Sequence, residues 1–594
     1  MTEHFDAVVI GSGFGGAVMS YRLAEAGLRV CLLERGKAFP PNSFPRDPYG
    51  IRNNFWDPSN GLYGMFNVWS FKGSGALVSS GLGGGSLIYA NILIRKDEKW
   101  FVNQKPGDRC YEQWPVTRAM LEEHYGRVER MMNAQKYPLK HEPYKGTQKT
   151  LAMQEAARKL NPDGKPGLEW LPLNLAVSFR TRAVAHPDDD DPSNPPLVGV
   201  ALEEEHPNYH TAKAGRLMQR STCRLCGECD IGCNFGSKNT LDYNYISEAH
   251  RLGAEVRTLC EVKRIAPRQG GGYSVSYIVH DLSHEGQKVD TDDIRFCPKH
   301  TVTCDRLVLA AGTFATPYLL FKSGDAFPNL SKRLGTRFSV NGDLLSFITK
   351  ATMKRDGRVV PRDLNPSFGP VITGAIRFGD TLDGNGDLGR GFYVEDGGNP
   401  YLLSWAAELS GAFGLIWRTL HFLKLRVKYL WGLSQDTDLA EEIASVLGDA
   451  VVSRSSLPVL TMGRDCPDGR LRLNGRYLDC DWAEKAGSKE YYKRVVREVT
   501  RIAEALGADY MDNPAYKKLN QVLTAHPLGG APMGTSAEDG VVDSYGEVFN
   551  YPGLYIADGS MLPGPVGPNP SLTIGALSDR FADHIIDQHK GVTR

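Results

Sequence analysis

The feature that most constrains this chain is the stretch of residues 5–34, FDAVVIGSGFGGAVMSYRLAEAGLRVCLLE. An apolar run enters a glycine-rich turn, a helix-like segment follows, and a second apolar run ends on Glu34. This order predicts a strand, a tight turn, a helix and a second strand, which together form a dinucleotide-binding unit. A glycine triplet alone would be a weak signal, but here the whole unit is present.

The residues of this unit have separate physical tasks. Gly11 forms the tight turn, Gly13 lets backbone N–H groups approach a pyrophosphate, and Gly16 lets the helix pack closely on the strand. The phosphates then lie at the positive end of the helix. Glu34 is placed to accept hydrogen bonds from ribose hydroxyls, and an acid there argues against a 2′-phosphate. The expected ligand is therefore FAD or NAD rather than NADP.

Composition limits the class of protein and its compartment. The chain has 594 residues, more than one hydrophobic core normally serves, so two or more domains are expected. Lys and Arg total 69, as do Asp and Glu, so the charge does not point to nucleic acid. With no signal peptide and no apolar run of roughly 18–20 residues, we expect a cytoplasmic protein. Its 11 cysteines do not look like a disulfide framework.

Residues 73–94, GSGALVSSGLGGGSLIYANILI, form a second glycine-dense segment. Within it, Gly83, Gly84, Gly85 and Ser86 predict backbone packed against a planar ring, where any side chain would collide. A flexible turn is the simpler alternative. The segment contains no histidine, which disfavours a histidyl–flavin bond there.

Periodic patterns in the rest of the chain predict further helices and strands. Residues 114–132 and 484–507 have the apolar spacing of amphipathic helices. Residues 255–265 alternate like one strand, and residues 345–408 contain several strand-like runs, as in an antiparallel sheet. Four consecutive acids at 188–191 predict a solvated loop, with calcium binding as the alternative.

One aromatic and aliphatic segment, residues 411–432, carries interspersed basic residues. It fits an ordinary helix of a substrate domain. It also fits a basic amphipathic surface that touches a membrane or a lipid aggregate. Peripheral membrane contact is therefore kept as an alternative, and it matters if the substrate is insoluble.

Two late stretches contain the remaining candidate catalytic and cofactor-binding residues. The first, TAHPLGG, contains His526; the second contains ADGS, with Asp558 and Gly559, and then GPNPSLT, with Asn569 and Pro570. A strand that ends on Asp558, followed by a proline turn into a helix, predicts backbone amides beside a cofactor. Taken alone, His526 reads as an ordinary core histidine.

These motifs occur in the order used by the glucose–methanol–choline (GMC) flavin oxidoreductases, and the resemblance covers nearly the whole chain. Within that family the sequence most resembles the cholesterol (3β-hydroxysterol) oxidases, above all over residues 523–577. The resemblance implies an α/β FAD-binding domain of Rossmann-like type and an α+β substrate domain with a mainly antiparallel sheet. The expected limits are 1–95, 215–345 and 520–594 for the FAD-binding domain, and 96–214 and 346–519 for the substrate domain.

The resemblance also implies roles for individual residues. His526 and Asn569 match the pair that faces the substrate carbinol. Glu395, in Phe-Tyr-Val-Glu, is similar to an active-site glutamate of the sterol oxidases and is the candidate base, with Glu408 as its rival. Val262 is expected to hold the adenine through its backbone. The full set of expected FAD contacts is Gly11, Gly13, Phe14, Gly15, Gly16, Glu34, Gly83, Gly84, Gly85, Ser86, Asn91, Val262, Ala311, Gly312, Asp558, Gly559 and Pro570.

Residues 223–233, CRLCGECDIGC, place Cys223, Cys226, Cys229 and Cys233 at the C-x2-C-x2-C-x3-C spacing of ferredoxins. A [4Fe–4S] or [3Fe–4S] iron–sulfur cluster is one interpretation. A structural zinc site and free or paired thiols are the others. The secreted sterol oxidases lack this run. A cluster would favour a protein or quinone as electron acceptor, and its absence would favour dioxygen.

The sequence therefore predicts FAD-dependent oxidation of a hydrophobic alcohol to the ketone by hydride transfer to flavin N5. A 3β-hydroxysterol such as cholesterol is the expected substrate, with a long-chain or aromatic alcohol as the first alternative. The same fold also hosts non-redox and photochemical flavoproteins, because fold alone does not settle function. A lipid-binding module without turnover is the remaining alternative.

Overall fold

The computed structural model of the protein describes residues 2–105, 107–400, 451–482, 487–513, 516–517 and 521–591. Residues 411–432 and Glu408 lie outside the described residues. Within those ranges, no helix combines the length and the hydropathy that crossing a membrane requires. The described α-helices are Phe14–Glu25, Pro48–Arg52, Arg118–Met131, Gln148–Leu160, Tyr209–Ala214, Tyr245–Arg251, Ala315–Lys322, Val451–Arg454, Lys489–Ala505 and Ser571–His589.

The first sheet mixes parallel and antiparallel strands around the predicted dinucleotide unit. Its first strand is parallel to Val30–Leu33 on one side and to Lys299–Leu309 on the other. Residues 7–10 of that strand are at most 4% exposed, as expected for a parallel strand covered on both faces. The seven strands are Glu3–Ile10, Val30–Leu33, Glu255–Arg257, Cys260–Pro267, Tyr273–Val279, Lys299–Leu309 and Leu554–Ile556.

The pattern over residues 255–265 predicted one strand, and this prediction was wrong because the structure has two. The chain turns between them at Leu259, whose φ of 59° is left-handed. The earlier strand lies parallel to Val30–Leu33, whereas the later one pairs antiparallel with Tyr273–Val279. The turn brings the Cys260 N–H onto the carbonyl of Glu34. It therefore lies at the end of the dinucleotide unit.

The second sheet is antiparallel throughout and carries Glu395 on an inner strand. In spatial order its strands are Asp509–Asp512, Leu344–Thr349, Leu457–Gly463, Phe392–Asp396, Gly374–Phe378 and Leu168–Pro172. Helices Gln148–Leu160 and Lys489–Ala505 pack on this sheet, and Phe392 and Val394 belong to the core they share. Because side chains alternate along a strand, Glu395 points to the opposite face. The predicted α/β plus α+β fold class is confirmed.

Small ribbons complete the described strands. They are Phe66–Ser70, Ser74–Ser79 and Val522–Thr524 in one sheet, and the pairs Thr352–Arg355 with Arg358–Pro361, Arg470–Asn474 with Tyr477–Asp481, Trp56–Asp57 with Leu62–Tyr63, and Gln135–Lys136 with Asn174–Leu175. The predicted domain limits stay a prediction.

A buried charge network joins the last helix to two earlier ones. Asp579 is 1% exposed and accepts hydrogen bonds from Arg22, from His124 Nδ1 at 2.7 Å and from Arg127 at 3.0 Å. Asp583 pairs with the same two arginines. The C-terminal helix is thereby fixed beside the first helix of the dinucleotide unit.

The cysteines divide into one bonded pair and nine free thiols. Cys110 and Cys466 form a disulfide across 356 residues of sequence. One bridge is no disulfide framework, but the sequence had not predicted it, because nothing in the sequence pairs cysteines so far apart.

Two glycines of the first turn allow a matched test of this packing. A Cβ on Gly15 would lie 1.6 Å from the Ala557 carbonyl oxygen, whereas a Cβ on Gly13 would meet no atom within 4 Å. We expect Gly15→Ala to destabilise the fold by about 1–3 kcal/mol or more, as overpacking does. Gly13→Ala should leave the melting temperature of the apoprotein unchanged. Thermal unfolding followed by circular dichroism checks both, and an unchanged melting temperature for Gly15→Ala would contradict the packing.

Candidate active site

The two glycine segments pack directly on each other. A Cβ on Gly84 would lie 2.6 Å from the Cα of Gly13, and Gly84 has a left-handed φ of 52°. The Gly83 N–H donates to Ser12 Oγ at 3.0 Å, and Ser86 Oγ donates to the Gly83 carbonyl at 2.7 Å. The second segment therefore packs on the first turn, and its predicted packing against a planar ring stays a prediction.

Glu34 lies beside the same turn. Its carboxylate is 5% exposed and accepts hydrogen bonds from the Ser12 N–H, the Ser12 hydroxyl and the Gly36 N–H, at 3.1, 2.6 and 2.9 Å. A carboxylate offers about four acceptor positions, so these three donors leave capacity for a ribose hydroxyl. The position agrees with the predicted role, which stays a prediction.

Two further backbone turns meet at the same end of the sheet. The Gly312 N–H donates to Asp558 Oδ2 at 2.9 Å, and the hydroxyls of Thr316 and Ser560 also donate to this carboxyl, both at 2.6 Å. Burial raises the pKa of Asp558, although these hydrogen bonds oppose the shift. Ala311 therefore lies near Asp558 and Gly559, as the sequence motifs suggested.

The residues of this region fit FAD. A Cβ on Gly13, Gly85 or Gly312 would meet no protein atom within 4 Å, so open space lies above all three. The first helix has no capping side chain at Gly13, which leaves its N-terminal N–H groups for a phosphate. Val262 stands at a β-bulge of its strand, where its backbone departs from regular pairing.

His526 is held by a buried carboxylate. Its Nδ1 lies 3.0 and 3.1 Å from the two oxygens of Asp343, which is fully buried. The Thr524 hydroxyl and the Ala525 N–H donate to Asp343 as well, at 2.8 and 2.9 Å. Because the Asp343 carboxylate accepts from every partner, Nδ1 of His526 carries a proton, and Nε2 is the ring nitrogen that Asp343 does not engage.

Asn569 and Glu395 are brought together from distant parts of the chain. The amide of Asn569 lies beside the Glu395 carboxyl, and both side chains are buried, at 6% and 0% exposure. Asn341 positions the loop before Asn569, because its Oδ1 accepts from the N–H groups of Val566 and Gly567 at 2.9 and 3.0 Å. The Glu395 carboxyl has no hydrogen-bond partner besides the Asn569 amide, and Asn569 Oδ1 has none, as expected where a substrate supplies one.

Burial raises the pKa of Glu395 well above its ordinary value. The Asn569 amide opposes this shift, whereas the carboxyls of Asp396, Asp343 and Asp230 add to it. Asp343 thus contacts His526 directly, and its charge also acts on Glu395. The structure therefore brings half-buried His526 and buried Asn569 and Glu395 into one region, although their roles stay predictions.

Sequence reasoning missed Asp343 and Asn341. Both precede the strand Leu344–Thr349, in a loop where neither hydrophobic period nor a known motif marks them. The only local signal was the turn-forming Asn341-Gly342-Asp343, with a positive φ at Asn341 and Gly342.

The four clustered cysteines line one cavity next to this site, together with Lys238 and Gly369. The side chain of Asn91, an expected FAD contact, lies against the Cys229 sulfur and has no other partner. The second glycine segment therefore separates the cysteine cavity from the first turn.

A dinucleotide cradle that adjoins a half-buried histidine and a buried amide and carboxyl defines an oxidoreductase of the FAD- or NAD-binding class. Comparison with known proteins narrows this class. GMC oxidoreductase domains match residues 213–339 and 468–578, and a NAD(P)-binding Rossmann-like domain matches residues 9–44.

The relatives extend over almost the whole chain. It is 30% identical to a cholesterol oxidase of Mycobacterium tuberculosis, over 98% of this chain and 91% of that protein. A cholesterol oxidase of Acinetobacter baumannii is 26% identical, over 98% and 95% of the two chains. The long-chain-alcohol oxidase FAO4B of Arabidopsis thaliana is 21% identical, over 99% and 68%.

A solved structure agrees with the fold. Pyridoxine 4-oxidase from Mesorbium loti superimposes with a TM-score of 0.57 at 15% identity, covering 99% of this chain and all of that one. This chain therefore belongs to the GMC oxidoreductase family, and it is an FAD-dependent alcohol oxidoreductase.

The Asp343–His526 pair generates a prediction with a matched control. Asp343→Asn should lower kcat by on the order of 10²–10⁴-fold, because an amide no longer fixes the tautomer that leaves Nε2 as acceptor. Asp465→Asn is the control. Asp465 is also fully buried and accepts from Ser339 and Val340 on the same loop, but it does not contact His526.

Steady-state kinetics with the FAD content measured in each variant distinguishes the two carboxyls. We expect both variants to retain FAD and only Asp343→Asn to lose turnover. Equal kcat values for the two variants would remove Asp343 from the positioning of His526.

Proposed function

We propose that this protein oxidises a 3β-hydroxysterol, such as cholesterol, to the 3-ketone. The observation that carries the proposal is the convergence of half-buried His526 with buried Asn569 and Glu395 beside the cradle. The substrate class is supported by the two cholesterol oxidases, whose identities of 30% and 26% exceed the 21% of the long-chain-alcohol oxidase. The family and the open cradle support FAD as the cofactor.

The chain's own groups supply the proton chemistry. FAD, when bound, supplies a hydride acceptor at N5. His526 Nε2 takes the carbinol proton, because Asp343 holds the proton of the ring on Nδ1. Asn569 donates its amide to the carbinol oxygen and fixes the direction of the C–H bond. His526 thus replaces Glu395 as the first proton acceptor.

Glu395 is suited to a second step, the migration of the double bond in the ketone. Because burial raises its pKa, Glu395 is protonated over more of the pH range than an ordinary glutamate and is a stronger base once ionised. Such a carboxyl can move a proton from C4 to C6 of the ketone, which shifts the double bond from C5 to C4. The shift needs no oxidant, since the carboxyl takes one proton and returns one.

Two variants should separate the two steps. We expect His526→Ala to keep FAD but lose most alcohol-dependent flavin reduction. Glu395→Gln should keep flavin reduction but release the unconjugated ketone. Chromatography with mass detection and the absorbance of the conjugated enone distinguish the two products.

In wild type, double-bond migration should increase with pH, because the ionised base accumulates only above the raised pKa of Glu395. Conjugated product from Glu395→Gln at the wild-type rate would contradict this assignment.

A long-chain or aromatic alcohol is the second candidate substrate. The similarity to the long-chain-alcohol oxidase, over 99% of this chain, favours it. A panel of a 3β-hydroxysterol, its 3α epimer and a long-chain primary alcohol decides between the candidates. We expect flavin bleaching with the 3β epimer alone. Bleaching only by the primary alcohol would overturn the sterol proposal, and no bleaching by any alcohol would favour a non-redox flavoprotein or a lipid-binding module.

We propose two routes for the electrons that the flavin receives. Dioxygen is the acceptor if the cysteines hold no cofactor. A protein or quinone is the acceptor if they hold an iron–sulfur cluster, which the C-x2-C-x2-C-x3-C spacing supports. Comparing turnover in air with turnover on an added quinone under argon tests the choice.

A sterol substrate is insoluble in water and must be reached in a membrane or lipid aggregate. We therefore also propose that the protein is cytoplasmic and contacts a membrane peripherally. The support is the mixture of aromatic, aliphatic and basic residues in the sequence 411–432. Sedimentation with anionic liposomes should carry the protein into the pellet, and high salt should release it.

A further inference from the structure

We propose that Cys223, Cys226, Cys229 and Cys233 bind an iron–sulfur cluster that takes electrons from the flavin and passes them to a partner at the protein surface. The binding site rests on the cysteine cavity alone. The electron source rests on the proposed function. The two parts can therefore fail separately.

The backbone is shaped so that the four cysteines face one space. Leu225, Gly227 and Gly232 have left-handed φ values of 59°, 67° and 85°, so the chain reverses repeatedly between the cysteines. The Gly227 N–H and the Gly369 N–H close this loop on the neighbouring segment at 2.9 and 3.0 Å. The four thiols line one cavity. All four are free, and no pair is bonded.

The spacing of the thiols is wrong for zinc. Tetrahedral zinc with Zn–S bonds of about 2.3 Å holds its sulfurs about 3.8 Å apart. In the described part of the chain, only His124, Asp579 and Asp583 bring three metal-ligand atoms within 4.8 Å of one another. No three of the four thiols are that close. A cubane separates its thiolates further, because each binds a different iron at a different corner.

The surroundings suit an anionic cluster. The Leu225 N–H donates to the Cys223 sulfur at 3.4 Å, and the Val371 N–H lies against the Cys229 sulfur. Such N–H groups stabilise the negative charge of a thiolate and tune the potential of an iron–sulfur cluster. Three cationic side chains also line the cavity, namely Arg46, Arg224 and Lys238. They offset the charge that four thiolates would concentrate there.

The cavity is joined to the cofactor side by a buried cation. Lys238 Nζ donates to the carbonyls of Leu87, Tyr89 and Cys229 at 2.9, 3.0 and 2.8 Å. The first two belong to the segment that packs on the first glycine turn, and Asn91 at the end of this segment touches the Cys229 sulfur. One short segment therefore contacts both the cradle and the cysteine turn.

The other side of the cavity is within reach of a partner. Arg46 lines it, is partly exposed, and donates to the Gly232 carbonyl at 2.6 Å while pairing with Glu228 at 2.7 Å. Cys226, Cys229 and Cys233 are themselves partly exposed. Electrons entering beside Asn91 therefore have an exit at the surface beside Arg46.

The electrons balance as follows. Oxidation of one alcohol to one ketone delivers two electrons to the flavin and releases two protons in all. The cluster takes these electrons one at a time and is reoxidised twice, by two one-electron acceptors or by one quinone that takes up two electrons and two protons. Ferricyanide serves as the one-electron probe and a soluble quinone as the two-electron probe.

Cys226→Ala, with Cys304→Ala as control, tests the site in the full-length protein. Cys304 is a buried free thiol of the first sheet, outside the cavity. Protein isolated without air should contain about three to four irons per chain, with matching acid-labile sulfide, and give a paramagnetic resonance signal of the cluster in one redox state. We expect Cys226→Ala to lose at least one iron or the whole cluster, and Cys304→Ala to match wild type.

Flavin behaviour separates the two parts of the proposal. With a sterol under argon, all three proteins should bleach their flavin, but Cys226→Ala should reoxidise it with ferricyanide or quinone at least tenfold more slowly. Stoichiometric zinc, or thiols without iron after reconstitution with iron and sulfide, would overturn the site even if the flavin bleaches. A normal cluster with equal reoxidation in all three proteins would overturn the electron route and leave the proposed alcohol oxidation standing.

Discussion

Backbone packed on backbone at one end of the first sheet is the constraint on which the rest of this structure depends. A Cβ on Gly11 would lie 2.3 Å from the Ala310 carbonyl, and one on Gly16 would lie 1.9 Å from the Gly11 carbonyl. Three turns and the N-terminus of a helix meet there, and backbone lies close to backbone at Gly11, Gly16 and Gly84. The open space that remains can therefore take a pyrophosphate along the backbone, which a chain with side chains at these positions would fill.

The buried carboxyls near the candidate site differ in their hydrogen-bond partners and therefore in their roles. Asp343 is saturated with donors and holds His526. Asp396 is likewise saturated, by the Thr373 and Gly374 N–H groups and by hydroxyls, and serves the sheet. Glu395, next to Asp396 in sequence, points to the other face and has only the Asn569 amide as a hydrogen-bond partner. Alternation along one strand thus separates a structural acid from a reactive one.

Part of the fold and of the candidate site could be predicted from the sequence, and part could not. The dinucleotide unit could be predicted because a short stretch of sequence with a fixed physical meaning encodes it. The fold class could be predicted because the ordered motifs resemble those of a known family. Single residues that act through distant contacts could not be predicted. Asp343 meets His526 across 183 residues, and Cys110 meets Cys466 across 356. The split of residues 255–265 was missed because Leu259 is left-handed without being glycine, which composition does not reveal.

The most direct test of the account is the rate of flavin reduction in a single turnover without air, using a 3β-hydroxysterol and the same sterol deuterated at C3. In the proposed reaction, hydride leaves C3 while His526 takes the hydroxyl proton. This reaction predicts that the oxidised flavin band bleaches with the sterol and that deuterium at C3 slows the bleaching markedly. A flavin that stays oxidised with saturating sterol would contradict the account.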